Sequence, residues 1–351
     1  MNDVATMPAQ ERAELFIEAA ETPIPVRAPA LIEKDFWLCW VLGHVFADEA
    51  PFQPLIFKGG TSLTKVYQAI ERFSEDIDLS IDRTILGFEG ERDPGSARTG
   101  KQAKRRLEEL EVACREFVQG PLRRWLTARF ASMLGDPDIG TDSWAIEIDD
   151  RDPDGQTLLF RYPRTAVTAE ASGYIAPEIR LEFGARGETW PSERATIRSY
   201  IADAFPSEFG GVSAGVQVLA IERTFWEKAT ILHAIAHGGA ERVRPRQARH
   251  YYDLARLAAG TVRERALSNL DLLEAVARHK ARFFRAAWAK YDLARPGTLR
   301  LTPPADVERA LRADYHEMEA MFFSTPPSFD EILEQISMLE AIINASGQRL
   351  A

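Results

Sequence analysis

Cysteine is almost missing from this chain: Cys39 and Cys114 are the only two in 351 residues. That excludes a disulfide scaffold and a thiolate metal centre. Long apolar runs are missing too. No stretch approaches the ~18 to 20 uncharged apolar residues that a membrane helix needs. The opening MNDVATMPAQERAELF has neither a basic n-region nor an apolar h-region, so it does not read as a signal peptide. We therefore expect a cytoplasmic protein with reduced thiols and no membrane partner. Positive charge is also in deficit: 43 basic against 53 acidic residues gives a net charge of −10. This excludes a generally basic nucleic-acid coat but leaves room for a local basic patch. No internal repeat or low-complexity run is seen. What remains, 45% hydrophobic and 27% charged residues, is the composition of a globular protein. The length suggests two domains.

The N-terminal part alternates helical and strand patterns. Residues 29 to 48 read as an amphipathic helix rich in large apolar groups. PLIFKGG is a short apolar strand running into glycines, and TSLTKVYQAI follows as a helix with Thr61 or Ser62 as its cap. SEDIDLSI is a short strand, and residues 87 to 96 are rich in turn formers. Residues 97 to 134 read as helix, and strands are expected at 143 to 149, 156 to 162 and 176 to 185. DPDG at 152 to 155 marks a hairpin between the first two of these. The segment 186 to 215, rich in Gly, Pro and Ser, is expected to end the strand-containing part. Helices are expected at 218 to 238, 246 to 259, 265 to 290, 304 to 323 and 328 to 345. The prediction is an α/β domain over 1 to 215 and a helical domain over 216 to 351.

One segment carries chemistry: FKGGTSLTKVYQAIERFSEDIDL, residues 57 to 79. Gly59 and Gly60 lie between a strand and a helix. Without Cβ atoms they let backbone N–H groups approach an anion, and the following helix offers its positive end. Thr61 and Ser62 add hydroxyls, and Lys58 or Lys65 adds charge. Taken alone, the same residues fit a plain glycine turn before a capped helix. Asp76 and Asp78 then lie two apart on a strand, so both carboxylates face one way, about 7 Å apart at Cα. Side-by-side like charges are unfavourable. A divalent cation such as Mg²⁺ relieves them, since it takes hard oxygen ligands. An exposed acidic edge strand is the plainer alternative. Glu75 is expected to face away from the pair. Together, a phosphate cradle and an Asp-x-Asp pair some 15 residues later bring triphosphate and metal ligands into one strand–helix–strand unit.

This combination, KGGTSL at 58 to 63 with RFSEDIDL at 72 to 79, resembles the core of the DNA polymerase β-like nucleotidyltransferases. In detail it resembles the AbiEii/AbiGii toxin family, including the MenT-type toxins, and IEKDFW at 32 to 37 resembles that family's opening helix. A second block, ERTFWEKATILHAIAH at 222 to 237 followed by RHYYDL at 249 to 254, matches the family's lysine helix and its Arg-x-x-x-Asp-Leu pattern. One departure stands out: the position after the arginine is often acidic in the family and is His250 here.

The resemblance implies an α+β fold, a polymerase β-like core of mixed sheet and flanking helices followed by a helical domain. It implies an enzyme that transfers a nucleotide from NTP to an acceptor hydroxyl, releases pyrophosphate, and serves as the toxin of a toxin–antitoxin or phage-defence pair. A tRNA 3′ end is the leading acceptor, and a cognate antitoxin is the expected partner. Asp76 and Asp78 would hold Mg²⁺, with two ions expected. Lys58, Gly59, Gly60, Thr61, Ser62 and Arg249 would meet the nucleotide. Lys228 and Asp253 would be catalytic, reaching in from the second domain. Nucleotidylation of a protein hydroxyl, or a binding module without turnover, are the alternatives.

Several residues can be read independently of the family. Lys228 has Ile221, Phe225, Ile231, Leu232 and Ile235 as helical neighbours. A lysine in such a stripe either snorkels to water or meets an anion. Asp253 follows Arg249 by one turn, which also fits a surface ion pair. Glu182 in IRLEF is the candidate third metal carboxylate, against a plain same-face pair with Arg180; Glu147 and Asp149 are weaker candidates. His233 and His237 have zinc-like i,i+4 spacing but neither an adjacent glutamate nor a third ligand, so core packing is preferred. Basic runs at 98 to 129 and 242 to 249 are candidates for contact with an RNA backbone.

Overall fold

The computed structural model describes residues 1–137, 143–170 and 176–347. The chain divides into two compact units, and each is discontinuous in sequence. The first comprises Met1–Val66, Ser74–Arg92 and Arg105–Val218; the second comprises Tyr67–Phe73, Asp93–Lys104 and Leu219–Ala351. A linear reading expects one boundary near residue 215. The structure adds two short N-terminal segments, 67–73 and 93–104, to the later unit.

From the N-terminus through residue 219 the elements run α1 (Asn2–Ala5), α2 (Ala9–Glu21), α3 (Pro29–Val45), β1 (Leu55–Lys58), α4 (Gly59–Lys65), β2 (Asp76–Ile81), α5 (Gly100–Phe117), α6 (Arg123–Leu134), β3 (Ala145–Ile148), β4 (Thr157–Arg161), α7 (Ala166–Glu170), β5 (Glu178–Gly184), β6 (Ser192–Ile197), α8 (Tyr200–Ala204), α9 (Pro206–Phe209) and β7 (Ala214–Leu219). The strands form one mixed sheet in the order β3-β4-β5-β2-β1-β7-β6. β1 pairs antiparallel with β2 and parallel with β7, and β2 runs parallel to β5.

Two of the seven strands among the described residues lie where the sequence suggests the sheet has ended. β6 (SERATI) is mostly polar because it is the sheet's last strand, with only Ile197 buried. β7 (AGVQVL) hides a strand pattern behind two glycines before it, yet its Ala214, Val216 and Val218 are buried against β1. α5 and α6 follow one another through a π turn, Val118–Leu122, at Pro121, where the missing amide N–H prevents regular helical bonding.

α3 is apolar on nearly every face, the pattern of a helix enclosed by its own domain. Trp37 stacks on Tyr162 with ring centres 5.7 Å apart, and Trp40 meets Phe130 at 4.7 Å. The buried face of the sheet supplies Ile77, Leu79, Phe160, Ile179 and Leu181. Their neighbours Asp76, Asp78, Arg180 and Glu182 face the other way, as strand alternation requires.

The second unit is helical: α10 (Ile221–Gly238), α11 (Ala248–Ala259), α12 (Val262–Leu267), α13 (Leu270–Phe283), α14 (Ala305–Glu317) and α15 (Phe329–Gly347). α10 packs on α11 and α13, and α11 packs on α15. The single helix expected over 265 to 290 is instead two, because Asn269 caps α13 with its side chain on the Leu272 amide. Among the described residues no helix is long and apolar enough to cross a membrane.

Candidate active site

The sheet register sets out a row of charge in the first unit. Lys58 on β1 lies opposite Asp78 on β2, and Asp78 lies opposite Glu182 on β5. One pleat along, Asp76 lies opposite Arg180. Cross-strand partners share a face, so two acids of β2 and one of β5 stand together with two cations beside them. Arg180 Nη2 is 3.2 Å from Glu182 and 3.2 Å from the buried Asp149, and its Nε is 3.9 Å from Asp76. The repulsion between Asp76 and Asp78 therefore has a guanidinium close by, which weakens the argument that a metal ion alone relieves it. The same-face pair of Arg180 with Glu182 is present. Among the described residues no three His, Cys, Asp or Glu side chains gather closely enough to hold a metal ion. The donors aligned here, two aspartates and a glutamate, are nonetheless the hard oxygens that suit Mg²⁺.

Gly59 is held in the left-handed region at φ +80°. A Cβ there would lie 1.9 Å from Asp78 Oδ2, so the carboxylate rests directly against the bare backbone of the turn. α4 begins at Gly59, earlier than the sequence suggests, with Lys58 in the cap position. Thr61 and Ser62 are consequently inside the helix, not caps, and both are buried. Their hydroxyls are engaged: Thr61 donates to the Asp76 carbonyl, and Ser62 donates to the Gly59 carbonyl at 2.9 Å. Thr61 thereby ties the glycine turn to the aspartate strand. Lys58 Nζ and Ser80 Oγ lie next to Gly187, where a Cβ would come within 3.3 Å and 2.5 Å of them.

Three consecutive charges on α3 hold this frame in place. Glu33 accepts from the Thr165 amide at 2.8 Å and from Thr165 and Thr168 hydroxyls. Lys34 binds Glu75 at 2.6 Å, the residue before Asp76. Asp35 binds Lys65 at 2.6 Å, at the end of α4, and accepts from the Tyr200 amide. Burial works against the Lys65 charge, but Asp35 outweighs it and holds the ammonium above its ordinary pKa. Lys65 is thus committed to Asp35 and to the face of Tyr200, 4.1 Å from its ring centre.

The second unit contains a separate buried cluster. Asp253 is fully buried and accepts from two cations. Arg72 grips it as a fork, Nε to Oδ1 and Nη2 to Oδ2, both at 2.8 Å. Lys228 Nζ meets Oδ2 at 2.7 Å. Burial raises the Asp253 pKa, but Arg72 and Lys228 outweigh it and hold the carboxyl far below its ordinary range. Burial lowers the Lys228 pKa, Asp253 opposes that, and Arg72 adds to it, so the net shift is downward. Lys228 does not snorkel: it is 6% exposed. Nor is Asp253 half of a surface pair with Arg249. Arg249 lies near enough to depress the pKa values of Lys228 and His250.

The family model described as "Nucleotidyl transferase AbiEii toxin, Type IV TA system" matches residues 40–335. The chain belongs to this family. It is therefore a nucleotidyltransferase toxin of a type IV toxin–antitoxin system. Among solved structures, MenT4, a nucleotidyltransferase toxin of Mycobacterium tuberculosis H37Rv, superposes with a TM-score of 0.50. That match has 19% identity and covers 96% of this chain and 92% of the other, which supports the fold. No curated protein matches the chain in sequence.

Several of the remaining candidates of this AbiEii-family chain make contacts within the protein. His233 accepts the Arg300 amide on Nδ1 at 3.1 Å and lies 2.9 Å from the Lys290 carbonyl on Nε2, so both ring nitrogens are engaged. This fits a neutral core histidine rather than a zinc ligand. Glu147 pairs with Arg161 at the surface. The basic run at 98 to 129 is dispersed: Arg105 pairs with Glu109, Arg123 binds the Ile146 carbonyl, and Arg129 binds His44. In the 242 to 249 cluster, Arg242 lies over Trp288 and beside Glu241. Arg72 and the α3 triplet escaped sequence reasoning, although both lie inside quoted motif segments. Their partners are far away in the chain, so no local spacing announces them.

Proposed function

We propose that this toxin transfers a nucleotide from NTP to an acceptor hydroxyl, with a tRNA 3′ end as the acceptor and pyrophosphate as the leaving group. The observation that carries the reading is the contact between the Gly59 turn and Asp78, with Asp76 beside it and Glu182 in register. A phosphate-binding turn and a pair of carboxylates on one sheet face are what nucleotidyl transfer requires.

Asp76 and Asp78 are the residues that would hold Mg²⁺, which when bound supplies charge neutralisation and activation of the attacking oxygen. Glu182 is a third candidate ligand, and it would have to exchange Arg180 for that role. The backbone of Gly59 and Gly60 and the ammonium of Lys58 would bind the triphosphate. Thr61 and Ser62 would act by fixing the turn, since their hydroxyls bond to carbonyls. Lys228 would meet negative charge on the phosphates, Asp253 would orient Lys228, and Arg249 would add charge next to them. The toxin would act in the cytoplasm, restrained by its antitoxin.

The test is incubation of purified protein with each labelled NTP, Mg²⁺ and total tRNA. Label should enter RNA with the wild-type chain and be absent with Asp76→Asn. Label in protein but not in RNA would replace the acceptor. No incorporation from any NTP, with toxicity intact in the triple variant of Asp76, Asp78 and Lys228, would refute catalysis.

A further inference from the structure

Among the described residues, two cations of the second unit's buried cluster, Arg72 and Lys228, pair directly with one anion, Asp253, and the geometry divides that anion unequally. Arg72 takes both oxygens of Asp253 in a planar fork, each at 2.8 Å, while Lys228 takes one oxygen at 2.7 Å. A guanidinium stays ionised at any pH a protein survives, and its fork matches a carboxylate bidentately. The Asp253 charge is therefore already cancelled by Arg72, and the ammonium of Lys228 is the charge left over. Such an excess, 6% exposed, is costly unless an anion completes it.

Arg72 itself is held firmly. Nη1 donates to the Phe73 carbonyl at 3.1 Å, and Arg72 bridges to Phe322. The Phe73 amide donates to Met321 at 2.7 Å, and the Glu71 amide donates to the Tyr252 hydroxyl at 3.2 Å. The backbone around Arg72 is thus anchored to α11 and to the segment after α14, and the guanidinium to Asp253 and the Phe73 carbonyl, all within the second unit.

We propose that Arg72 is a positioning residue of the transfer reaction: it commits Asp253 to itself so that the Lys228 ammonium keeps an uncancelled charge for a nucleotide phosphate. This rests on the reading that Lys228 meets phosphate. The groups facing Lys228 are Asp253 on its own side of the cluster, Arg72 from the 67–73 segment, and Arg249 and His250 from the start of α11. Removing Arg72 leaves Asp253 to Lys228 alone, a one-to-one pair with no surplus charge.

The test uses the full chain with ¹³Cε-labelled lysine, the Lys228 resonance being assigned by its loss in Lys228→Arg. In Arg72→Met the Lys228 titration should move up by about one pH unit, since a like charge has gone and an opposite one is unshared. The KM for NTP should rise about tenfold, the loss of one charge-assisted contact, with a smaller change in kcat. Arg72→Lys, which keeps the charge without the fork, should move both readings less in the same direction; it is the variant to use if Arg72→Met does not fold. A purely structural arginine would lower the melting temperature and leave the Lys228 titration of the folded protein where it was. That result overturns the inference. Inorganic tripolyphosphate distinguishes phosphate binding at Lys228 from the effect of Arg72. If it leaves the wild-type Lys228 resonance unmoved, the phosphate reading falls. If it moves that resonance but the titration is the same in both Arg72 variants, the inference about Arg72 alone falls.

Discussion

Replacing Gly59 by alanine puts a methyl carbon 1.9 Å from Asp78 Oδ2 and 2.7 Å from its Cγ. A side-chain Cβ does not come within about 3.0 Å of a non-bonded heavy atom, so the carboxylate oxygen must retreat by 3.0 − 1.9, about 1.1 Å, or the turn must open. The backbone adds a second penalty. Gly59 has φ +80°, and an L-residue held there costs about 1 to 2 kcal/mol. For a unit of this size each kcal/mol lowers Tm by ~2 to 4 °C, so a drop of about 2 to 8 °C is expected. The larger effect falls on chemistry. A catalytic group displaced by about 1 Å loses roughly 10²-fold in rate. Gly59→Ala should therefore remain folded at 25 °C while nucleotide incorporation falls by about 10²-fold. Gly215→Ala is the control: its added Cβ meets open space, and it should melt and react as wild type does. Incorporation of labelled NTP and differential scanning calorimetry measure the two quantities. A Gly59→Ala protein with wild-type incorporation would refute the placement of Asp78 in the reaction.

Further outcomes follow from the same geometry. Asp253→Asn strips the shared anion from two buried cations, which should destabilise the second unit by about 3 to 5 kcal/mol, read in urea melts. His44 is buried against Arg129 and Trp40, and burial with the Arg129 charge lowers its pKa from 6.5 to about 4. The folded chain then binds fewer protons than the unfolded one between those values, so stability is fully present above pH 6.5 and falls by up to about 3 kcal/mol as pH drops to 4. His44→Phe should flatten that slope, and an unchanged slope would refute the assignment. Chelation by EDTA should abolish incorporation and Mg²⁺ should restore it, while Arg180→Gln should change the Mg²⁺ concentration needed for half-maximal rate. An Arg180→Gln enzyme with an unaltered Mg²⁺ requirement would separate Arg180 from the proposed metal ligands.

Legibility in the sequence depended on distance along the chain. The glycine turn and the Asp-x-Asp strand are local patterns. Strand alternation alone puts Asp76 and Asp78 on one face, where they are found. The mixed α and β architecture and the family could be read from those blocks. β6 and β7 are not legible, because a polar last strand and a short glycine-flanked strand carry little hydrophobic period. Which partner each charge takes was not legible either. Asp253 has an arginine one turn before it, yet it binds Arg72, 181 positions away. Lys65 reads as a phosphate ligand by its place after the glycine turn, yet Asp35 has claimed it. Spacing names the residues near each other in sequence, whereas only the folded register settles competition among charges.

Glu33, Lys34 and Asp35 occupy a single turn of α3 and reach three different parts of the chain. For genetics, this makes one short stretch of sequence behave as though it were three sites. In a selection for cells that survive expression of the toxin, escape mutations should accumulate at 33 to 35 as readily as at Asp76 and Asp78. Survivors of the first kind would yield little folded toxin, and those of the second kind abundant inert toxin. An immunoblot of survivors would sort the escape map into its two causes.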